Sequence, residues 1–393
     1  MTVQDTSDRY EFGKNWKRYI DLHFDEEKIE ISRQHMLSFL GRSDLAGLRM
    51  LDIGSGSGLH SLAAWRSGAH EVVSFDYDPN SVTTTRLLHE KVGSPQNWRI
   101  LQGSVLDQAF METLGQFDFV YSWGVLHHTG SQWHAIDNAI SRVAKDGLFY
   151  IALYDSDVYV NPGPQYWLDI KQKYNKAGLI RRYAMEFEYI KNTVCGGKLS
   201  NMLGLFKTMA DYKQSRGMNL YTDVRDWLGG WPMEFTRVSE ILDIFCRRNG
   251  FQLQNISTGA ANTEYVFGRG AHAPACDLAT CFKIPARLAD IDGSRPVALW
   301  GLGMLGERLL PLLRQAGIQV TTLVDKRRTG NLEGIPIQSP EVFLASADPS
   351  MPVITASVYF SQILEMLVAR SFTNIYHAHP MMVDLYRKER GVA

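Results

Sequence analysis

The chain has little cysteine, almost no net charge and no long apolar run. Its four cysteines, Cys195, Cys246, Cys276 and Cys281, are too few and too scattered for a disulfide framework in 393 residues. Cys276 and Cys281 have no histidine cluster beside them, which argues against zinc, and no metal is expected. All four read as reduced thiols, so a cytoplasmic location is expected. A formal charge of −1 leaves no bulk field to attract nucleic acid, and no nucleic-acid partner is expected. No apolar stretch approaches the ~20 residues of a membrane span. The polar run Met1 to Asp8 lacks the apolar core of a signal peptide. What remains is a globular composition, 45% hydrophobic and 21% charged, in a chain too long for one ordinary core. Two domains are expected.

The most informative stretch is Met50 to Gly58, which reads M-L-D-I-G-S-G-S-G. A short apolar strand, Arg49 to Ile53, carries Asp52 and runs into Gly54, Ser55, Gly56 and Gly58. A helix-forming run, Leu59 to Ser67, follows. A glycine turn between strand and helix lets backbone approach a ligand where a Cβ would clash. Further strands are expected at Glu71 to Asp76, Trp98 to Gln102, Phe117 to Ser122 and Gly147 to Tyr154. Helices are expected at Asn80 to Val92 and Ser131 to Val143. This alternation predicts a parallel sheet covered on both faces. Asp76 ends the second strand, where a carboxylate can accept hydrogen bonds from both ribose hydroxyls. Dinucleotides use the same position, so Asp76 by itself implies only a ribose.

Past Tyr154 the alternation breaks. Residues Ser156 to Phe235 are aromatic and helical in pattern. A helix, Thr236 to Asn249, then leads to strands Phe251 to Ser257 and Glu264 to Phe267, joined by a connection short enough for a hairpin. Residues Arg269 to Ser294 read as a linker. A second α/β pattern begins at Arg295, with a strand Val297 to Trp300, a turn with Gly301, Gly303 and Gly306, and a helix Glu307 to Gln315. A strand Gln319 to Val324 ends beside Asp325. Strands Val353 to Ala356 and Asn374 to Tyr376 flank a helix, Ser361 to Arg370. The second glycine turn has dinucleotide-like spacing.

Four segments in order resemble the class I S-adenosylmethionine (SAM) methyltransferases. They are the G-x-G-x-G turn with Asp52 just before it, Asp76 with Tyr77, the Gly103-Ser-Val-Leu-Asp107 segment, and Ser122-Trp-Gly-Val-Leu-His-His-Thr129. The terminal hairpin fits the same family. The resemblance implies a doubly wound α/β fold with a seven-stranded methyltransferase sheet, a helical lid insertion and a smaller C-terminal Rossmann-like domain. The divisions expected are an arm at 1–48, the methyltransferase domain at 49–268 with its lid at 156–235, a linker at 269–294 and the second domain at 295–393. SAM is the implied cofactor. The residues carried over as its contacts are Asp52, Gly54, Ser55, Gly56, Gly58, Asp76, Tyr77, Ser104, Val105 and Trp123. Many family members have Asp where Ser104 stands. Phe12 to Trp16 either folds over this pocket or packs on the core.

Methyl transfer to oxygen at neutral pH calls for a base, and histidine suits it. His127 and His128 sit past the fourth strand, with His128 preferred. Asp155 and Asp157 read better as turn residues. The lid carries a local excess of Lys and Arg: Lys171, Lys173, Lys176, Arg181, Arg182, Lys191, Lys198, Lys207, Lys213 and Arg216 face only Asp169, Glu186, Glu188 and Asp211. This excess either meets an anionic acceptor or forms solvated helix faces. Asp223, Asp226, Trp227 and Trp231 are the substrate candidates, since rings and carboxylates together can hold a sugar. Trp227 and Trp231 could equally anchor the lid. The expected acceptor is a small molecule, a sugar or a glycan- or lipid-linked intermediate, methylated at oxygen. RNA or protein methylation and a non-catalytic SAM-binding scaffold are the alternatives. Residues 295–393 resemble small Rossmann-like modules of sugar-modifying enzymes. For Gly301, Gly303, Gly306 and Asp325, a dinucleotide, another nucleotide or sugar, and an architectural or homo-oligomerising role all stay open.

Overall fold

A computed structural model describes residues 26–156, 162–195, 220–258, 262–270 and 287–357, and parts of 282–285 and 363–385. Phe12 to Trp16 and Asp157 lie outside the described residues. The first unit opens with α1 (Glu26–Leu40), β1 (Arg49–Ile53), α2 (Leu59–Arg66), β2 (Glu71–Asp76), α3 (Pro79–Lys91) and β3 (Trp98–Gln102). It continues with α4 (Gln108–Thr113), β4 (Phe117–Trp123), α5 (Gln132–Ile140) and β5 (Val143–Tyr154). The stretch read from sequence as a lid contains α6 (Pro164–Lys176), α7 (Leu179–Tyr189) and α8 (Leu220–Gly229).

Local chemistry fixes the helix starts. Asp78 caps α3 by accepting the Asn80 N–H at 2.8 Å, with Pro79 at the first helical position. Asp107 caps α4 through the Phe110 N–H at 3.0 Å. The helix expected to reach Val143 stops at Ile140, because Val143 pairs with Phe117 at the start of β5.

The remaining elements are α9 (Val238–Leu242), β6 (Gln252–Thr258), β7 (Asn262–Gly268), β8 (Phe282–Lys283), β9 (Val297–Trp300), α10 (Met304–Gln315) and β10 (Val320–Val324). They end with β11 (Gly330–Leu332), β12 (Ile335–Gln338), α11 (Pro340–Ser346), β13 (Val353–Thr355) and β14 (Ile375–His377). The fold is α/β with two seven-stranded sheets, in the orders β3-β2-β1-β4-β5-β7-β6 and β11-β12-β10-β9-β13-β14-β8. In the first sheet β1 pairs in parallel with both β2 and β4, and β6 with β7 is an antiparallel hairpin. The chain order reverses at β1, so a crevice opens beyond the carboxyl ends of β1 and β4. Leu51, Ile53, Val73, Phe75, Phe119, Val120, Phe149 and Ile151 are buried along these strands.

In the second sheet β9 is parallel to β10 and β13. Phe282–Lys283, from the stretch read as linker, forms an edge strand on β14. Among the described residues no helix is long and apolar enough to cross a membrane, and no group of His, Cys, Asp and Glu could hold a metal ion.

Candidate active site

The glycine turn is held by backbone before any ligand is considered. The N–H groups of Gly54 and Ser55 both donate to the Phe75 carbonyl, at 2.8 and 3.1 Å. Gly54 has φ +78, and a Cβ there would lie 2.5 Å from both γ-carbons of Val125. Glycine is therefore required twice over, by its left-handed backbone and by the side chain that fills the space. Val125 immediately precedes the Leu126–His128 turn, so the glycine turn and the histidine turn touch. On the other side, Ser55 Oγ meets Thr85 Oγ1 of α3 at 3.1 Å.

Asp76 accepts the Gly56 N–H and the Asp78 N–H, each at 2.9 Å. Burial pushes its carboxyl up to about 6, against those two hydrogen bonds. Next to it Tyr77 is 54% exposed, an unusual state for a large ring. Tyr77, Pro79, Gln102, Gly103 and Ser104 line an open cleft of about 490 Å³. A partly hydrated carboxylate, an exposed ring and a glycine-rich backbone turn fit a nucleoside. Ser104 Oγ accepts the Leu106 N–H at 3.2 Å. Val105 is buried, and its carbonyl accepts Asn138 Nδ2 at 2.8 Å. Trp123 is exposed at the end of β4, stacked near His60 with ring centroids 6.5 Å apart.

Asp52 sits differently from the other expected cofactor contacts. It is buried and accepts the Ser61 hydroxyl, which meets Ser74 Oγ at 2.6 Å, and Ser74 in turn accepts Trp98 Nε1 at 2.8 Å. Burial raises its carboxyl to about 7. This network ties β1, α2, β2 and β3 together beneath the turn.

Hydrogen bonding divides the histidine pair. His128 Nδ1 lies 2.6 Å from the Pro232 carbonyl, which can only accept, so Nδ1 carries the proton and Nε2 of the neutral ring carries the lone pair. His127 has the opposite tautomer. Its Nδ1 accepts the Tyr154 N–H at 3.3 Å, leaving the proton on Nε2. Burial, then the neighbouring His128 and Lys171, hold His127 neutral, well below the usual histidine range. The two rings thus differ in tautomer, and the Nε2 of His127 is buried with no hydrogen-bond partner among the described residues.

The segment Trp231 to Phe235 builds this arrangement, which the sequence alone did not disclose. Glu234 N–H donates to the His127 carbonyl at 2.8 Å, and its carboxylate accepts the Gln132 N–H at 3.0 Å. Gln132 Nε2 donates to the Phe235 carbonyl at 3.0 Å. Trp231 is partly buried beside Pro232. Trp227 packs edge-on against Tyr154 at 5.8 Å and Trp167 at 5.2 Å. Lys171, counted among the lid cations, points inward. It is 1% exposed, donates to the Trp227 carbonyl and lies 4.3 Å from the indole centroid. Burial pulls its amine down to about 7, opposed by Asp226. Asp223 lies on α8, in the same helix as Asp226 and Trp227. Lys198, Lys207, Lys213 and Arg216 lie outside the described residues.

The second glycine turn is closed by its own loop. Asp325 accepts the N–H groups of Leu302, Arg327 and Arg328 at 2.8, 2.8 and 3.0 Å. Burial raises its carboxyl, but these bonds and Arg328 outweigh that and hold it below the usual range. A Cβ on Gly306 would lie 1.9 Å from the Gly301 carbonyl oxygen, so this glycine serves the packing of helix on turn.

Comparison with known proteins bears on the family of the first unit. The methyltransferase domain family matches residues 23–239, more than half of the chain. A ubiquinone biosynthesis O-methyltransferase of Paramagnetospirillum magneticum is 29% identical over 138 residues, covering 34% of this chain and 53% of that one. A protein of the same name from a Methylobacterium species is 29% identical over 120 residues, covering 30% and 46%. The chain thus spans about half the length of the curated relatives it matches. Among solved structures, an O-methyltransferase family protein from Burkholderia thailandensis aligns with a TM-score of 0.39 and 13% identity, over 66% of this chain and 58% of that one. On the family match, the chain belongs to the methyltransferase domain family of SAM-dependent enzymes.

Proposed function

We propose that this chain transfers a methyl group from SAM to an oxygen of a small-molecule, sugar or glycan- or lipid-linked acceptor, with His128 as the base. The observation that carries this reading is the 2.6 Å contact between His128 Nδ1 and the Pro232 carbonyl. It fixes the tautomer that a base needs and orients the ring at the carboxyl edge of β4. Two relatives that bear O-methyltransferase in their names support oxygen as the acceptor atom.

Bound SAM supplies an electrophilic methyl group on a sulfonium. The chain does the rest. Asp76 accepts the ribose hydroxyls, Tyr77 covers the base, and the backbone at Gly54 to Gly58 leaves room for the nucleoside. The acceptor hydroxyl gives its proton to His128 Nε2, and the Pro232 carbonyl stabilises the resulting imidazolium through Nδ1–H. Asp226 and Trp231 on the lid side hold the acceptor within about 3 Å of the methyl carbon. Trp227 keeps the lid against Tyr154.

The test is methyl transfer from labelled SAM to a panel of phenols, catechols and nucleotide sugars. Transfer to at least one hydroxyl that is lost in His128→Ala supports the reading. Transfer only to nitrogen or carbon acceptors, or full activity in the variant, would sink it.

A further inference from the structure

Helix α7 carries two apolar faces: Met185 and Tyr189 pack against the buried cluster of Tyr174, Ile190, Val224 and Leu228, and a second set faces out. A helix on a globular unit normally turns its apolar stripe to the core and its charges to water. Here Leu179, Ile180, Tyr183 and Phe187 are 69%, 87%, 52% and 51% exposed. On a helical wheel these four and Ala184 form one continuous arc. Two polar residues of the same helix, Glu186 and Arg182, face inward, whereas Arg181 and Glu188 are exposed. Glu186 is buried, accepting the Tyr174 hydroxyl at 2.7 Å and pairing with Arg225 at 3.1 Å. Arg182 donates to the carbonyls of Tyr174 and Asn175 at 3.1 and 2.7 Å. The inner face is therefore held both by apolar packing and by specific polar bonds, and the second apolar arc is left facing out.

The size of the patch limits what can cover it. With roughly 150–250 Å² for a full side chain of this class, the four exposed fractions leave on the order of 500 Å². That is at the upper end for a monomer surface and commonly marks an interaction site. It falls short of the roughly 800 Å² per partner of a stable dimer. The charges nearby favour an anionic partner. Lys173 and Lys176 end α6, Arg181 follows Ile180, and all three are exposed. Lys176 and Arg181 bracket Leu179 and Ile180, the two most exposed apolar residues. Asp169 and Glu188 are the exposed acids on the same helix pair.

The geometry points to α7 as a peripheral docking face for an anionic lipid bilayer. Leu179, Ile180, Tyr183 and Phe187 sink to the boundary between headgroups and acyl chains, and Lys173, Lys176 and Arg181 meet the lipid phosphates. Helices with an apolar arc, interfacial rings and flanking Lys and Arg bind membranes in this way without spanning them. This inference does not depend on the methyl-transfer reading.

The test is co-sedimentation of the full chain with vesicles of phosphatidylcholine alone and of phosphatidylcholine containing one-third phosphatidylglycerol. The wild-type chain is expected to pellet with the anionic vesicles and to be partly released by salt. Ile180→Asp with Phe187→Asp should reduce partitioning by about tenfold or more. Lys176→Glu with Arg181→Glu should weaken binding to anionic vesicles alone. Thermal melts show whether the variants fold. A separate probe needs no charged substitution: Ile180→Cys carrying an environment-sensitive dye should shift to the blue when anionic vesicles are added. The proposal is overturned if the wild-type chain stays in the supernatant or the dye does not respond. It is equally overturned if the wild-type chain is a dimer that the Ile180 and Phe187 variant dissolves, because the face then joins two copies.

Discussion

Gly54→Ala tests whether the cofactor turn and the histidine turn are one mechanical unit. Gly54 has φ +78, and a β-carbon would sit 2.5 Å from two methyl groups of Val125. The left-handed backbone costs a non-glycine residue about 1–2 kcal/mol. Forcing a methyl group into the filled space costs a further 1–3 kcal/mol or so. The expected loss is therefore on the order of 2–5 kcal/mol, a drop of very roughly 5–15 °C for a unit of this size. Adding Val125→Ala removes the two clashing methyls but leaves the backbone cost. The double variant should recover part of the loss, making the pair non-additive by on the order of 1 kcal/mol. Urea denaturation of the four chains in the cycle measures this. Simple additivity would refute the claim that Val125 excludes the β-carbon, and a Gly54→Ala chain as stable as wild type would refute both terms.

Three further outcomes follow from the site. His128→Ala should lower methyl transfer by roughly 10²–10⁴ with SAM affinity nearly unchanged in a binding titration; a parallel fall in affinity would mean that the ring holds the cofactor instead. Asp52 is raised to about 7 by burial, above its ordinary 3.8, so its contribution is full below about pH 4 and is lost as pH rises to 7. Asp52→Asn should therefore gain stability relative to wild type across that window, by on the order of 1–4 kcal/mol, and a pH-independent difference in urea midpoints would contradict the assignment. Lys171, held down to about 7 by burial, is neutral when folded and charged when unfolded between about 7 and 10.5. Wild-type stability should gain from this group as pH rises through that range, and Lys171→Met should lack the gain in melts at pH 7 and 9.

The parts of the site legible in the sequence are those made by neighbours in the chain. Strand, glycine turn and helix at Arg49 to Ser67 follow from local conformational rules, as does a carboxylate at the end of β2. What tunes the histidines was not legible, because Pro232 and Glu234 reach them across about a hundred residues of chain, a distance only the fold closes. Lys171 illustrates a different limit. Composition counted it as one cation among many, whereas the Trp227 carbonyl and ring draw it inside. The helical pattern over 156–235 could not say which face of α7 meets the core. The β11–β12 turn, by contrast, follows from local rules. Glu333 and Gly334 both take positive φ, at 50° and 81°, in the tight turn joining β11 to β12. A two-residue turn ending in glycine between short apolar runs is a hairpin signature.

The central claim is that Gly54 to Gly58 and Asp76 hold SAM. Calorimetric titration of SAM into the wild-type chain and into Asp76→Ala tests it most directly. Two hydrogen bonds to a charged carboxylate are each worth about 1.5–3 kcal/mol, so saturable one-to-one binding should weaken by at least roughly a hundredfold in the variant. Failure of the wild-type chain to bind SAM, or equal binding by Asp76→Ala, would contradict the account.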